Sequence, residues 1–203
     1  MMSWPKDEDT DALGQRLLAQ RILLLGGPLD GAATADLISG MLLLSSADPR
    51  SEIRLYINSP GGDAAGFLAV YDTMQTLSAP VATICMSQAK STAALLLAAG
   101  GDRKRLAFPH ASVLMKLPDE RLEGFGDIEA QVEEARQQRR SLIDIAVRHT
   151  GAEQERVATE LERGVLLTAE EAKAYGIIDA VIDRGHPYFV RFPLPPQPGG
   201  NGG

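Results

Sequence analysis

A chain of 203 residues is long enough for one domain with a core of its own and short for two, and 44% hydrophobic with 23% charged residues is the make-up of an ordinary globular protein, not of a disordered or membrane one. The formal charge of −7, with no sustained run of Lys or Arg, argues against a phosphate-binding groove, so nucleic acid is not an expected partner. No apolar run is long enough for a bilayer span, the start lacks the pattern of a secretory signal, and Cys85 has no second cysteine to pair with, which together predict a chain of the reducing cytoplasm with no membrane partner.

Residues 1–12 make an acidic, polar leader expected to be flexible, followed by a short helix over 13–18. The run Ile22-Leu23-Leu24-Leu25, stopped by Gly26-Gly27-Pro28, predicts a buried strand. Asp30 or Thr34 can cap the next helix, in which Ala33, Leu37, Ile38, Met41, Leu42 and Leu44 recur at helical spacing up to the break Ala47-Asp48-Pro49. The alternation repeats with a strand over 53–57, the turn Asn58-Ser59-Pro60-Gly61-Gly62, a helix over 64–77, a strand over 81–86, a loop over 87–90 and a helix over 91–99. Strands over 105–108 and 112–116 follow. Such alternation predicts an α/β domain with a mainly parallel sheet.

Residues 127–149 predict a long helix whose apolar positions Ile128, Val132, Ala135, Leu142 and Ala146 form one narrow stripe interrupted by Arg139. A stripe that narrow suits contact with another subunit better than closure of a core, although a plain surface helix would read the same way. Thr168-Ala169-Glu170-Glu171 has the capping-box pattern and opens a helix leading to Ile177-Ile178 and Val181-Ile182. Residues 186–203, rich in Pro and Gly, are expected to be a disordered tail.

Two places could carry chemistry. In Ser59-Pro60-Gly61-Gly62 the paired glycines let backbone N–H groups approach a ligand or a developing oxyanion, though a simple tight turn needs the same residues. Ser91 stands where a loop meets an apolar helix, a position that can present Oγ as a nucleophile beside helix N-terminal N–H groups and that equally suits an ordinary N-cap. Neither a cofactor nor a metal is expected.

Five segments stand out together: Tyr56-Ile57-Asn58-Ser59-Pro60-Gly61-Gly62, Tyr71-Asp72-Thr73-Met74-Gln75, Thr83-Ile84-Cys85, Leu96-Leu97-Ala98-Ala99-Gly100, and the stretch from Thr168-Ala169-Glu170-Glu171-Ala172-Lys173 to Tyr175-Gly176 and Ile178-Asp179. In order and near spacing they resemble the ClpP family of barrel-forming serine proteases. The resemblance runs from about Leu13 to Asp183. It implies an α/β ClpP/crotonase-like fold of repeated strand-helix units over residues 13–185, with a projecting handle helix in the region of about 119–150. It further implies stacked heptameric rings of this chain alone or with other ClpP-type subunits, an AAA+ unfoldase of the ClpX, ClpA or ClpC type as partner, and unfolded polypeptide as substrate.

By the same resemblance Ser91 falls on the nucleophile, and the N–H groups of Gly62 and Thr92 fall on the oxyanion hole. The family's basic histidine, in a Met-Ile-His-Gln-Pro-like stretch, is matched by Lys116 in Leu114-Met115-Lys116-Leu117-Pro118, and its aspartate is matched by Gly164 in Glu162-Arg163-Gly164-Val165. A further departure follows Pro118, where Asp119-Glu120-Arg121-Leu122-Glu123 stands in place of the family's Gly-rich substrate strand. His110 lies roughly 20 Å from Lys116 at strand rise, and His149 and His186 read as solvated surface residues, so no histidine is expected to replace the base. The expectation is a catalytically impaired proteolytic subunit acting within a ring. Three alternatives stay open: a serine endopeptidase using a Ser91–Lys116 dyad, a crotonase-like acyl-CoA enzyme, and a binding protein that sequesters ClpP ligands.

Overall fold

A computed structural model describes residues 8–119, 128–183 and 186. In chain order the elements are α1 (Glu8–Ala19), β1 (Ile22–Leu25), α2 (Gly31–Ala47), β2 (Ile53–Ser59), α3 (Ala64–Thr76), β3 (Val81–Lys90), α4 (Thr92–Ala98), β4 (Arg105–Ala107), β5 (Ser112–Met115), α5 (Ile128–Thr150), α6 (Gln154–Arg163), β6 (Val165–Thr168), α7 (Ala169–Tyr175) and β7 (Ala180–Val181). Helix α1 starts earlier than the apolar pattern indicates and takes in the end of the segment read as leader. The remaining leader residues, the segment over 120–127 and the tail beyond His186 lie outside the described residues.

The strands form a sheet in the order β1-β2-β3-β4-β7, with β5 joined to β3 and β6 to β5. All these pairings are parallel except β5 with β6. The parallel α/β fold expected from the alternation is therefore present. Period-two geometry places the core: Ile53, Leu55 and Ile57 of β2 are buried in the main cluster, while Arg54 and Tyr56 between them face the other side. There Tyr56 packs on a smaller cluster of Ala82, Ile84, Leu106 and Ile182. Helices α2 and α3 begin at Asp30 and Asp63, each of which accepts a hydrogen bond from the N–H three residues on. Of the two caps offered by the sequence, Asp30 is the one used.

Three expectations change. The loop read over 87–90 is the second half of β3, which pairs with β4 through Thr83, Ile84 and Cys85 and then with β5 through Gln88, Ala89 and Lys90. The register against β2 shifts between Ile57 and Ser59, so the sheet forks at this point and β3 carries on to the edge of the site. Helix α6 and strand β6 were absent from the sequence reading. The long helix, thirdly, is half core: Leu142, Ile143, Ile145 and Ala146 are buried against the domain, whereas Val132 and Ala135 are only half-buried. Its stripe therefore packs on the domain core at its C-terminal half and is less buried toward its N-terminus.

Candidate active site

Strand β3 passes into helix α4 through one residue. Ser91 sits there with φ 52° and ψ −125°, a conformation that L-residues rarely adopt and that costs on the order of 1–3 kcal/mol. Its N–H still bonds Leu114 O of β5 at 2.9 Å, while its C=O already accepts from Ala94 N at 2.9 Å. The serine is thereby fixed by a strand on one side and a helix on the other, a strand-to-helix elbow of the kind that presents a hydroxyl in many hydrolases, with its own Oγ buried here. Ser91 does stand at the N-cap of α4, as that reading has it, but its side chain makes no cap hydrogen bond. Helix α4 behind it is buried along its whole length, which gives the elbow a rigid floor.

The turn after β2 closes on this elbow. A Cβ on Gly61 would stand 2.5 Å from Lys90 O and 3.1 Å from Ser91 Cβ, and with φ 92° the position admits glycine alone without strain. A Cβ on Gly62 would lie 1.9 Å from Leu29 O, so the second glycine is required by the neighbouring backbone. Ser59, buried, accepts from Gly61 N at 3.0 Å and holds the turn. The two places singled out in the sequence are brought together: Gly62 N donates to Thr92 Oγ1 at 2.8 Å. Thr92 was singled out for its backbone N–H, and the role of its hydroxyl was missed; the one available signal was a hydroxyl-bearing residue directly after Ser91.

Lys116 follows the end of β5, just past the strand that bonds Ser91. It is half exposed, and its Nζ donates to Asp119 Oδ1 at 2.7 Å. An ammonium has three donors and no lone pair with which to take a proton. Gly164 ends helix α6 with φ 76° and lies beside it: a Cβ there would meet Lys116 Cγ at 3.7 Å. The residues expected at the base and orienter positions are neighbours, and neither is an imidazole or a carboxylate.

The three histidines lie elsewhere. His110 is exposed in the turn before β5, roughly 13 Å along the strand from Leu114. His186 follows β7, beyond β4 from β3, and is not fully exposed. His149 is no solvated surface residue: its Nε2 lies 3.0 Å from Tyr71 Oη and its ring meets the Tyr71 ring edge-on. Burial first, then Arg105 and Arg148, keep its pKa below the ordinary imidazole value. It lines a cleft of about 380 Å³ with Val81, Gly101 and Arg105, at the start of β3, roughly 30 Å at strand rise from the end where Ser91 stands. Arg105 anchors that end by donating to His149 O at 2.7 Å, to Gly176 O at 2.8 Å and to Asp179. Burial works against the charge of Asp179, but the Arg105 bonds outweigh it and hold the carboxyl below its usual range. Cys85 is buried in the core as expected, and burial pushes its thiol up to about 12, which makes it inert.

The profile of the Clp protease family matches residues 5–185. The chain belongs to the Clp protease family. Over 173 residues it is 44% identical to the ATP-dependent Clp protease proteolytic subunit 3 of Nocardia farcinica, covering 83% of this chain and 77% of that one. It is 43% identical over 173 residues to proteolytic subunit 2 of Mycobacterium tuberculosis, covering 83% of this chain and 80% of the relative. A similar likeness, 43% over 173 residues, holds for proteolytic subunit 1 of Mycolicibacterium paratuberculosis. By family, then, this is a proteolytic subunit of the serine peptidase type, and the family resemblance read from the sequence motifs holds over most of the chain.

Proposed function

We propose that this Clp protease subunit is catalytically impaired and serves as a structural or regulatory member of a cytoplasmic ring assembly. The observation that supports this most is the pairing of Lys116 with Gly164 beside the strand that bonds Ser91, where hydrolysis by a serine triad needs an imidazole and a carboxylate. The nucleophile position and the oxyanion turn are retained; the proton acceptor is not. In this reading Ser91 is the nucleophile position, Gly62 and Thr92 the oxyanion pair, and the ring contains either this chain alone or this chain with active ClpP-type subunits. An AAA+ unfoldase of the ClpX, ClpA or ClpC type would feed unfolded polypeptide to the assembly, a reading in keeping with the ATP dependence in the relatives' names.

A Ser91–Lys116 dyad is the second reading, and the ion pair with Asp119 counts against it, because it directs Nζ to a carboxylate. The test is native mass spectrometry of the purified chain, alone and mixed with an active Clp proteolytic subunit from the same cell. Ring-sized species containing both chains are expected. A chain that stays out of every ring would overturn the assembly role.

A further inference from the structure

The oxyanion side of the site holds a contact that the missing imidazole does not account for. Thr92 is fully buried, its Oγ1 accepting from Gly62 N at 2.8 Å and donating to Gly62 O at 3.2 Å. A hydroxyl has one proton and two acceptor positions, so a single threonine satisfies both polar atoms of residue 62 at once. The turn is packed against the elbow closely enough to exclude a side chain: an ideal Cβ on Gly61 would stand 3.1 Å from that same Oγ1 and 2.5 Å from Lys90 O. Beside this closed pair, Ser91 Oγ is buried and has no hydrogen-bond partner among the described residues.

An oxyanion forming on Ser91 needs donors at about 2.7–3.1 Å from the position its oxygen will take. The Thr92 N–H is one of the first N–H groups of its helix, which have no partner within it. The Gly62 N–H, by contrast, is already used. We propose that Thr92 is a positioning residue that governs access to the site, its hydroxyl holding the Gly62 N–H away from substrate so that a carbonyl or phosphoryl oxygen is accepted only when that hydroxyl is removed or turned aside. This rests on the reading of Gly62 and Thr92 as the oxyanion pair and adds a second lock, separate from the loss of the base. It also states a specificity: an acyl substrate must compete with an internal hydroxyl for one donor, so weakly held substrates are excluded first.

Two measurements test it on the full-length assembled chain. The first is hydrogen–deuterium exchange at the Gly62 amide, which is expected to speed up about tenfold or more in Thr92→Ala and to stay near the parent in Thr92→Ser. The second is the rate at which a fluorophosphonate modifies Ser91 in a Lys116→His background that supplies a proton acceptor. In that reaction the Oγ–P bond forms, the P–F bond breaks, fluoride leaves and the hydroxyl proton passes to the imidazole. Adding Thr92→Ala is expected to raise the rate about tenfold, against losses of 10²–10³ when such a donor is deleted from a working enzyme, while Thr92→Ser leaves it unchanged. Equal rates in the Lys116→His parent and its Thr92→Ala form, or an equal rise with serine, overturn the role of the hydroxyl while leaving Ser91 as a presented nucleophile. Absence of Ser91 modification in every form, with folding intact, removes the oxyanion reading itself and the proposal with it.

Discussion

Gly164 lies against the side chain of Lys116, close enough that a Cβ on the glycine would touch the lysine stem at 3.7 Å. The two residues reach this contact from different elements, one at the end of helix α6 and the other just past β5, and the antiparallel pair Met115 with Val165 holds them in register. A Cβ would find ordinary van der Waals contact here, but the backbone is unsuited to a side chain, because Gly164 has φ 76° and ψ 114°. Gly164→Asp is therefore expected to lower unfolding stability by about 1–3 kcal/mol in denaturant melts, with Lys116→His nearly neutral. An aspartate accepted without cost would mean that the turn relaxes freely and that its glycine is not a backbone requirement.

The long helix α5 is more deeply buried at its C-terminal half than at its N-terminal half, and substitutions should follow that division. Leu142→Asp places a charge at a position 1% exposed and is expected to destabilise the subunit itself by several kcal/mol. Val132→Asp, at a half-buried position of the N-terminal half, should leave the melting temperature of the subunit within a few degrees and, if the proposed ring stacking uses this helix, instead reduce the native mass by loss of ring-to-ring contact. Parental mass for Val132→Asp at low protein concentration would remove this helix from the interface.

Acid should weaken the end of the domain remote from Ser91. His149 takes up a proton less readily in the folded chain than its ordinary value of 6.5, first because of burial and then because of Arg105 and Arg148. The unfolded chain binds that proton more readily, so the stability this group contributes is complete above pH 6.5 and is lost as pH falls toward the lower folded value. Melting temperatures measured between about pH 7 and pH 5 are expected to fall, and to fall less in His149→Gln. Identical slopes in the two proteins would show that the imidazole does not couple to folding.

The sequence was most legible where apolar periodicity and end signals agree. The bounds of β1, Asp30 as one of the two caps offered for α2, the strand over 53–57 and the capping box of α7 all stand in the structure. Helix α6 was not legible because its buried face rests on Val157 and Leu161 in an otherwise charged segment, too little for periodicity to detect. The second half of β3 was missed because Ser87-Gln88-Ala89-Lys90 has little strand propensity; it is a strand because β5 pairs with it, a contact between distant segments that no local window contains. His149 misled for a similar reason, since its burial is made by Tyr71 of α3 and by Arg105. At the site, residue types told which chemistry was missing, while the strain at Ser91 and the Thr92 hydrogen bond belong to the fork of the sheet and needed coordinates.

The central claim is that this subunit lacks a proton acceptor for Ser91, and peptide hydrolysis by the purified, assembled chain tests it most directly. Loss of base and orienter together should cost roughly 10⁶-fold in kcat by comparison with triad deletions in other serine proteases, so turnover of a fluorogenic peptide is expected to equal that of Ser91→Ala. Clear turnover in the parent that disappears in Ser91→Ala would contradict the account and establish a working serine site with a different base.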